Sequence, residues 1–508
     1  MLRTLFVFII FVPWLIAAFR DRFAALLLYL WFALFRPQEW LWIDLTSLRL
    51  SLGLGLVLIV PCLLTGVLPD LRHPLGAGTV AFFVIAILGA PFAVTPQITW
   101  EWVDYIGRLS LVSLLAMRLI KTRERLLMTT AVIAVSLGFH TVTAGLIFLL
   151  GGGVRFSDGL AGAFVDNNGY ALATTMAIFL LVGSAQNIGV RWLQYGLFAS
   201  AGLSVCTIIG TYSRGGFLAL VASVLVFVLL QRKRAFALVG LVGCVLVAVT
   251  VIPLPKDYVA RLRTIENYQE IGETSAISRT HFWRVAIAMV LDRPIFGVGL
   301  RGYDSVYNQY DFLNGQYGRG RSVHSSHLQV LAEMGFPGAI VWMWLFANAY
   351  LTLFRVRSRS RNPLVSGEES HFLFTMANAM IASITAFLVG GSFIALALND
   401  LTWLTFVLIV ALDRLSIQAL GGRSSPHHSK AISRRKGSTV TRGARQSKCS
   451  GRIEVRDAIS GGEIVRPQHD CPRAGSGAAG PTAGTRRHQW RRAGKRPAPR
   501  SKLKLEGG

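Results

Sequence analysis

Over the first 420 positions, apolar residues run in long blocks that admit Gly, Ser and Thr but few charges. A hydrocarbon layer ~30 Å thick is crossed by roughly 20 such residues in helical form. The blocks at 5–19, 23–35, 48–68, 76–93, 103–119, 127–150, 168–186, 192–210, 215–231, 236–253, 328–354, 372–396 and 400–419 therefore predict membrane-spanning helices. The first two are short enough to form one tilted or re-entrant pair, which sets the expectation at 12–13 transmembrane helices. The period-two alternation of a transmembrane barrel is absent, so the pattern predicts an all-α, polytopic membrane protein.

Positive charge gathers in three short connections: Arg118–Arg125, Gln231–Arg234 and Arg355–Arg361. Counting spans between them places all three on one side, the cytoplasmic side by the bias of Lys and Arg. Residues 36–47, 94–102, 151–167 and 254–327 then face outward, with the pairs Trp40/Trp42 and Trp100/Trp102 at outer boundaries as interfacial anchors. The outward stretch 254–327 is far longer than the other connections, and loops of such length carry function or structure of their own. Within it, 279–292 predicts a helix ended by Asp292-Arg-Pro294. His281, Arg284, Ala288 and Asp292 form its narrow stripe, and apolar residues cover the rest, a pattern suited to the outer membrane boundary. Arg279 projects from the apolar face, where an arginine needs an anionic partner.

Composition agrees with the pattern. Of 508 residues, 53% are apolar and 15% charged, against roughly 25% charged in ordinary soluble domains, and the mean hydropathy is +0.50. A soluble globular enzyme is excluded. The net charge of +26 is concentrated in residues 421–508, which hold 21 of the 52 Lys and Arg but 5 of the 26 Asp and Glu. The body therefore gives no support to nucleic-acid binding. The tail is rich in Gly, Ser, Pro and Arg with no periodic apolar face, which predicts a disordered cytoplasmic segment able to attract anionic lipid. Three regions follow: N-terminal transmembrane helices over 1–160, a membrane domain over 161–420 that includes the outer loop 254–327, and the basic tail 421–508. Residues 5–19 read as a membrane helix rather than a cleaved signal, because further spans follow at once. The five cysteines are scattered and make no disulfide framework.

Four outward motifs carry candidate chemistry: Ala163-Phe-Val-Asp-Asn-Asn-Gly-Tyr170, Thr211-Tyr-Ser-Arg-Gly-Gly216, Ser278-Arg-Thr-His-Phe-Trp283 with Arg293-Pro-Ile-Phe-Gly-Val-Gly299, and His324-Ser-Ser-His-Leu-Gln-Val-Leu-Ala-Glu-Met-Gly335. Arg214 follows Ser213, a good N-cap, and precedes two glycines. Free N–H groups, the positive dipole end and a guanidinium together suit phosphate. The competing reading is an interfacial arginine reaching for water. His324 and His327 share a face if helical. They read as metal ligands with Glu333, as a structural pair, or as a general base, since neutral imidazole takes a hydroxyl proton. The metal reading is poorly supported, because no cysteine or further ligand joins them. Gly297-Val-Gly299 reads as a turn after a proline rather than a nucleotide loop.

In this order and membrane setting, the four motifs resemble the O-antigen ligase family, which includes polysaccharide polymerases and bacterial O-oligosaccharyltransferases. The resemblance runs from about residue 160 to 340. Asn168 matches the family's asparagine before a span, although Asn167 stands where a proline is usual. Arg214 matches the arginine of its Ser-Arg-Gly element, Arg279 the arginine preceding a tryptophan, and His324 the loop histidine, with Ser325 replacing the usual asparagine. Phe35-Arg-Pro-Gln-Glu-Trp-Leu-Trp42 bears a fainter similarity to the exosortase-associated O-glycosylation ligase subgroup. The resemblance implies a GT-C-like inner-membrane glycosyltransferase that moves an oligosaccharide from undecaprenyl diphosphate to a lipid A-core or protein hydroxyl at the periplasmic face, without cofactor or metal. It implies Arg214 and Arg279 as donor diphosphate ligands and His324 as catalytic base, with Asn168 secondary; His327, which matches no family site, and Glu333 are secondary candidates from the residues alone. A repeat-unit polymerase is the alternative within that class. A glycan transporter or flippase is the rival outside it, disfavoured because the candidate charges gather at helix ends rather than at midplane depth.

Overall fold

The computed structural model describes residues 2–41, 49–153, 164–251 and 274–421. The tail from 422 onward and residues 252–273 of the long loop lie outside the described residues, as does Trp42. Among the described residues the chain is helical, with no β-strand. The principal helices are α1 (Leu2–Arg20), α2 (Arg22–Phe35), α3 (Leu50–Leu64), α4 (Pro74–Gly89), α5 (Pro96–Leu119), α6 (Arg123–Leu150), α7 (Asn167–Ala185) and α8 (Arg191–Gly210). They continue with α9 (Arg214–Leu229), α10 (Arg234–Val251), α11 (Thr274–Asp292), α12 (Gly302–Tyr310), α13 (Ser326–Arg359), α14 (Gly367–Gly390) and α15 (Asp400–Gly421).

All thirteen predicted spans fall on helices. Eight of these helices (α1, α4, α6, α7, α8, α13, α14 and α15) are long and apolar enough to cross a membrane, while α3, α9 and α10 have shorter apolar stretches. Helix α5 has the length, but Glu101, Asp104 and Arg108 interrupt it before and at its middle. The protein is an all-α polytopic membrane protein. Its centre is α7 and α14, both almost wholly buried and packed on each other. Small residues allow that approach: a Cβ on Gly183 would lie 2.8 Å from the Ala379 Cβ. Close backbone contact between apolar helices is the main source of specificity where lipid and side chains are equally apolar.

The three basic connections sit at one end of the bundle. Arg357 donates to the Leu230 carbonyl (2.8 Å), joining the second to the third, and Arg123 stacks on Phe372 at 4.9 Å, joining the first to the start of α14. Arg359 pairs with Asp413 (2.5 Å), so part of this charge is neutralised inside the fold, and Arg414 of α15 pairs with Asp70.

At the opposite end, the described part of the long loop packs as a small layer of its own. Phe282, Val285, Ala286 and Met289 of α11 meet Val298, Tyr303, Val306, Tyr307, Val323 and Ala332. The expected polar stripe of α11 is divided in two. Arg284 is exposed, but His281 is buried and bonds Asp311 at 2.8 Å. Burial alone would raise the Asp311 carboxyl; N–H groups of Leu313 and Gly315 and the His281 ring outweigh it and hold it below the usual range. A polar stripe read from sequence does not distinguish water from a buried partner.

This layer is keyed into a break in α13. Gly335 (φ 66°, ψ −168°) interrupts the helix two residues before Pro337. The released carbonyls of Ala332 and Glu333 accept from Val298 N (2.9 Å) and Gly299 N (3.0 Å), and Phe336 N donates to Pro294 O (2.8 Å). Interrupted backbone groups are tolerated at membrane depth only when the protein re-pairs them. Gly297-Val-Gly299 is thus a turn, as expected, and the Gly297 backbone lies against the broken helix with no room for a Cβ. The same segment reaches the α4–α5 connection: Val94 N donates to Val298 O (3.0 Å), and Phe92 and Phe296 stack at 4.8 Å.

Candidate active site at the long-loop end

Three helix N-termini converge beside this layer. Asp166 caps α7, accepting from Asn168 N (2.9 Å) and Gly169 N (3.1 Å). Ser213 caps α9, accepting from Gly216 N (3.0 Å), as its position before Arg214 predicts. Ser325 caps α13, accepting from Leu328 N (3.4 Å). Two of the caps follow a non-glycine residue in left-handed conformation, Tyr212 (φ 53°) and His324 (φ 51°). Such conformations cost energy and persist where the surroundings enforce them. Around His324 the enforcement is visible: Ser326 Oγ donates to Ile394 O (2.7 Å) and accepts from Leu396 N (2.9 Å). Ser325 therefore serves as a helix cap, and its neighbour Ser326 anchors the turn that presents His324.

The termini are also bonded to one another. The Ser213 hydroxyl donates to Asn168 Oδ1 (2.7 Å), and Asn167 Nδ2 donates to Thr211 O (3.0 Å). Between α5, α7, α12 and α13 lies a cavity of about 430 Å³ whose walls include Asp166, Asn168 and His324 together with Trp102, Arg301 and Asp304. Arg214 is not on its wall but adjoins it through Ser213. Arg279 lies within electrostatic range of His324, and Phe282, one turn on, has its ring 5.9 Å from the His324 ring. The fold thus brings His324, Asn168, Arg214 and Arg279 to one place from four separate segments.

His327 and Glu333 belong to a different environment. Both His327 ring nitrogens are engaged, one with Leu388 O (3.0 Å) and the other by the Trp342 indole N–H (3.1 Å). Glu333 is buried behind the cavity, accepting from Gln329 Nε2 (3.3 Å) and from the Arg301 backbone N–H. Among the described residues, no three His, Cys, Asp or Glu side chains gather as a metal site.

Burial is the main influence on His324, with Arg279 second; Asp166 pulls the other way, and Arg321 adds a smaller depression, so that together they lower the imidazole to about 4. The ring is neutral near pH 7, with a lone pair available to a hydroxyl proton. An anion bound at Arg279 would cancel part of that depression and strengthen the base. The sign is testable in the acidic limb of kcat/KM against pH, which reports the free enzyme's base. Arg279→Gln removes a nearby positive charge, so the imidazole pKa rises and the limb moves to higher pH. An unmoved limb in a folded Arg279→Gln protein would show that the two groups are not coupled.

Several wall residues escaped sequence reading as site residues, Trp102, Arg301 and Asp304 among them. Trp102 reads as an interfacial anchor, and Arg301 lies just beyond the Gly297-Val-Gly299 turn, in a stretch given no role. The available signal was the one that singled out Arg214, an arginine on the side where positive charge is disfavoured.

Comparison with known proteins divides the chain. Residues 199–343 match the family described as O-Antigen ligase, and residues 2–182 match a family of unknown function (DUF5935). No curated protein matches the chain. The cavity draws on both regions, with Trp102, Asp166 and Asn168 from residues 2–182 and Arg301, Asp304 and His324 from residues 199–343. The first match supports a membrane glycosyltransferase of ligase or polymerase type. Over residues 199–343, this multi-pass membrane protein is similar to the O-antigen ligase family.

Proposed function

We propose that the protein transfers an oligosaccharide from a polyprenyl diphosphate to an acceptor hydroxyl at the periplasmic face of the inner membrane. The observation that supports this most is a neutral His324 within electrostatic range of Arg279, on a cavity whose Asn168 is bonded to the cap of the helix that Arg214 begins. The acceptor oxygen attacks the anomeric carbon and its proton passes to the His324 imidazole. The bond from that carbon to the diphosphate oxygen breaks, and polyprenyl diphosphate leaves as an anion. An anionic leaving group needs cations rather than a proton donor, and arginine forks match phosphate oxygens. Asn168 acts through Ser213, fixing the N-terminus of α9 from which Arg214 projects.

The test is transfer by the purified full-length chain in liposomes, supplied with undecaprenyl-diphosphate-linked oligosaccharide and lipid A-core. The expected result is glycan on lipid A-core with no ion gradient. Movement of the lipid-linked glycan between leaflets, without transfer, would overturn the reading. In cells, loss of a ligase accumulates long carrier-linked chains, whereas loss of a polymerase leaves single repeat units.

A further inference from the structure

The part of the cavity wall formed by Trp102, Arg301 and Asp304 is built differently from the arginine side. The Arg301 guanidinium lies 4.9 Å from the centre of the Trp102 ring, an attraction that orients it. Its Nη1 stands 4.0 Å from Asp304 Oδ2, and both side chains remain partly exposed, at 36% and 41%. The backbone beneath is pinned: Gly299 N bonds Glu333 O, Thr99 Oγ1 donates to Leu300 O (3.4 Å), and the Arg301 N–H reaches the Glu333 carboxylate. Arg301 itself takes the left-handed conformation (φ 55°) that turns the chain into α12.

This wall is ill suited to phosphate. Asp304 offsets the charge of Arg301, and Asp166 adds a second carboxylate to the same cavity. Like charges at a few ångströms repel strongly in a partly desolvated site. A donor fork beside a carboxylate matches instead the adjacent hydroxyls of an uncharged sugar, each of which donates and accepts. Because His324 lines the same cavity, a ring held there would offer a hydroxyl to the imidazole.

We propose that Arg301 and Asp304, oriented by Trp102, form the subsite for an uncharged sugar ring of the acceptor, and that the N-terminal region of unknown function contributes Trp102 to acceptor recognition. The assignment to the acceptor rests on the transfer reaction proposed above; the sugar-binding property does not. Trp102 is a positioning residue, acting through Arg301.

The experiment uses the full-length protein in detergent with two probes: a panel of methyl hexopyranosides observed by saturation-transfer NMR, and inorganic pyrophosphate titrated by calorimetry. Trp102→Ala and Asp304→Asn should each weaken pyranoside binding roughly tenfold, and Trp102→Phe should restore most of it. Pyrophosphate should bind Trp102→Ala as it binds wild type, which also shows that this variant is folded. In the transfer assay, Trp102→Ala should raise the acceptor KM by a similar factor and leave the donor KM unchanged. Pyranoside binding indifferent to both substitutions would overturn the subsite, as would pyrophosphate binding lost in Trp102→Ala. A raised donor KM with an unchanged acceptor KM would overturn the assignment to the acceptor. Absence of transfer by wild type would remove the proposed reaction, while the pyranoside measurements would still decide whether the subsite exists.

Discussion

Replacing His324 by alanine is expected to lower glycan transfer by roughly 10²–10⁴-fold while donor binding persists. The side chain is neutral at working pH, lines the cavity and is presented by an enforced left-handed turn. None of its neighbours offers a second imidazole, because both His327 nitrogens are engaged with Leu388 and Trp342. His327→Ala should therefore reduce the amount of folded protein and leave transfer per folded molecule close to wild type. Transfer and donor binding are to be measured separately on membrane-inserted protein. Near-normal transfer by His324→Ala would remove the base assignment. A larger loss per folded molecule in His327→Ala would move it to that residue.

Arg214→Lys and Arg279→Lys should each lower transfer about 10–100-fold, although the charge is retained. Lysine supplies a point charge where arginine supplies two parallel N–H donors. Losing one charge-assisted hydrogen bond costs about 1.5–3 kcal/mol, which gives that range at room temperature. The defect should appear in donor binding as well as in turnover, unlike that of His324→Ala. Arg214 follows the Ser213 cap at the N-terminus of α9, whose remaining N–H groups still favour an anion. Arg214→Lys is accordingly expected to weaken binding of inorganic pyrophosphate without abolishing it. Wild-type affinity for both donor and pyrophosphate in both lysine variants would place the diphosphate elsewhere.

The sequence by itself determined the helices, because a run of about 20 apolar residues has few other ways to satisfy its backbone in lipid. It also determined that the three basic connections share one end, and that Ser213 caps α9, since both follow from local charge and capping chemistry. The motif order led to His324, Asn168, Arg214 and Arg279 by resemblance, and the fold brings these four together.

The tertiary structure alone decided the rest. A membrane helix that is apolar on every side carries no record of its neighbours, so the burial of α7 and α14 at the centre was not legible. His324 and His327 look alike in sequence. They differ because Trp342, fifteen residues beyond His327, lies across the break at Gly335 and engages the second of them. Arg301 and Trp102 are separated by about two hundred positions and meet because the 293–300 segment hydrogen-bonds to both the α4–α5 connection and the broken α13. Such contacts depend on backbone groups released by a helix break, and each backbone N–H and C=O is the same whatever the side chain. Side-chain spacing therefore reports the elements, while the pairing of released backbone groups decides which elements share a site.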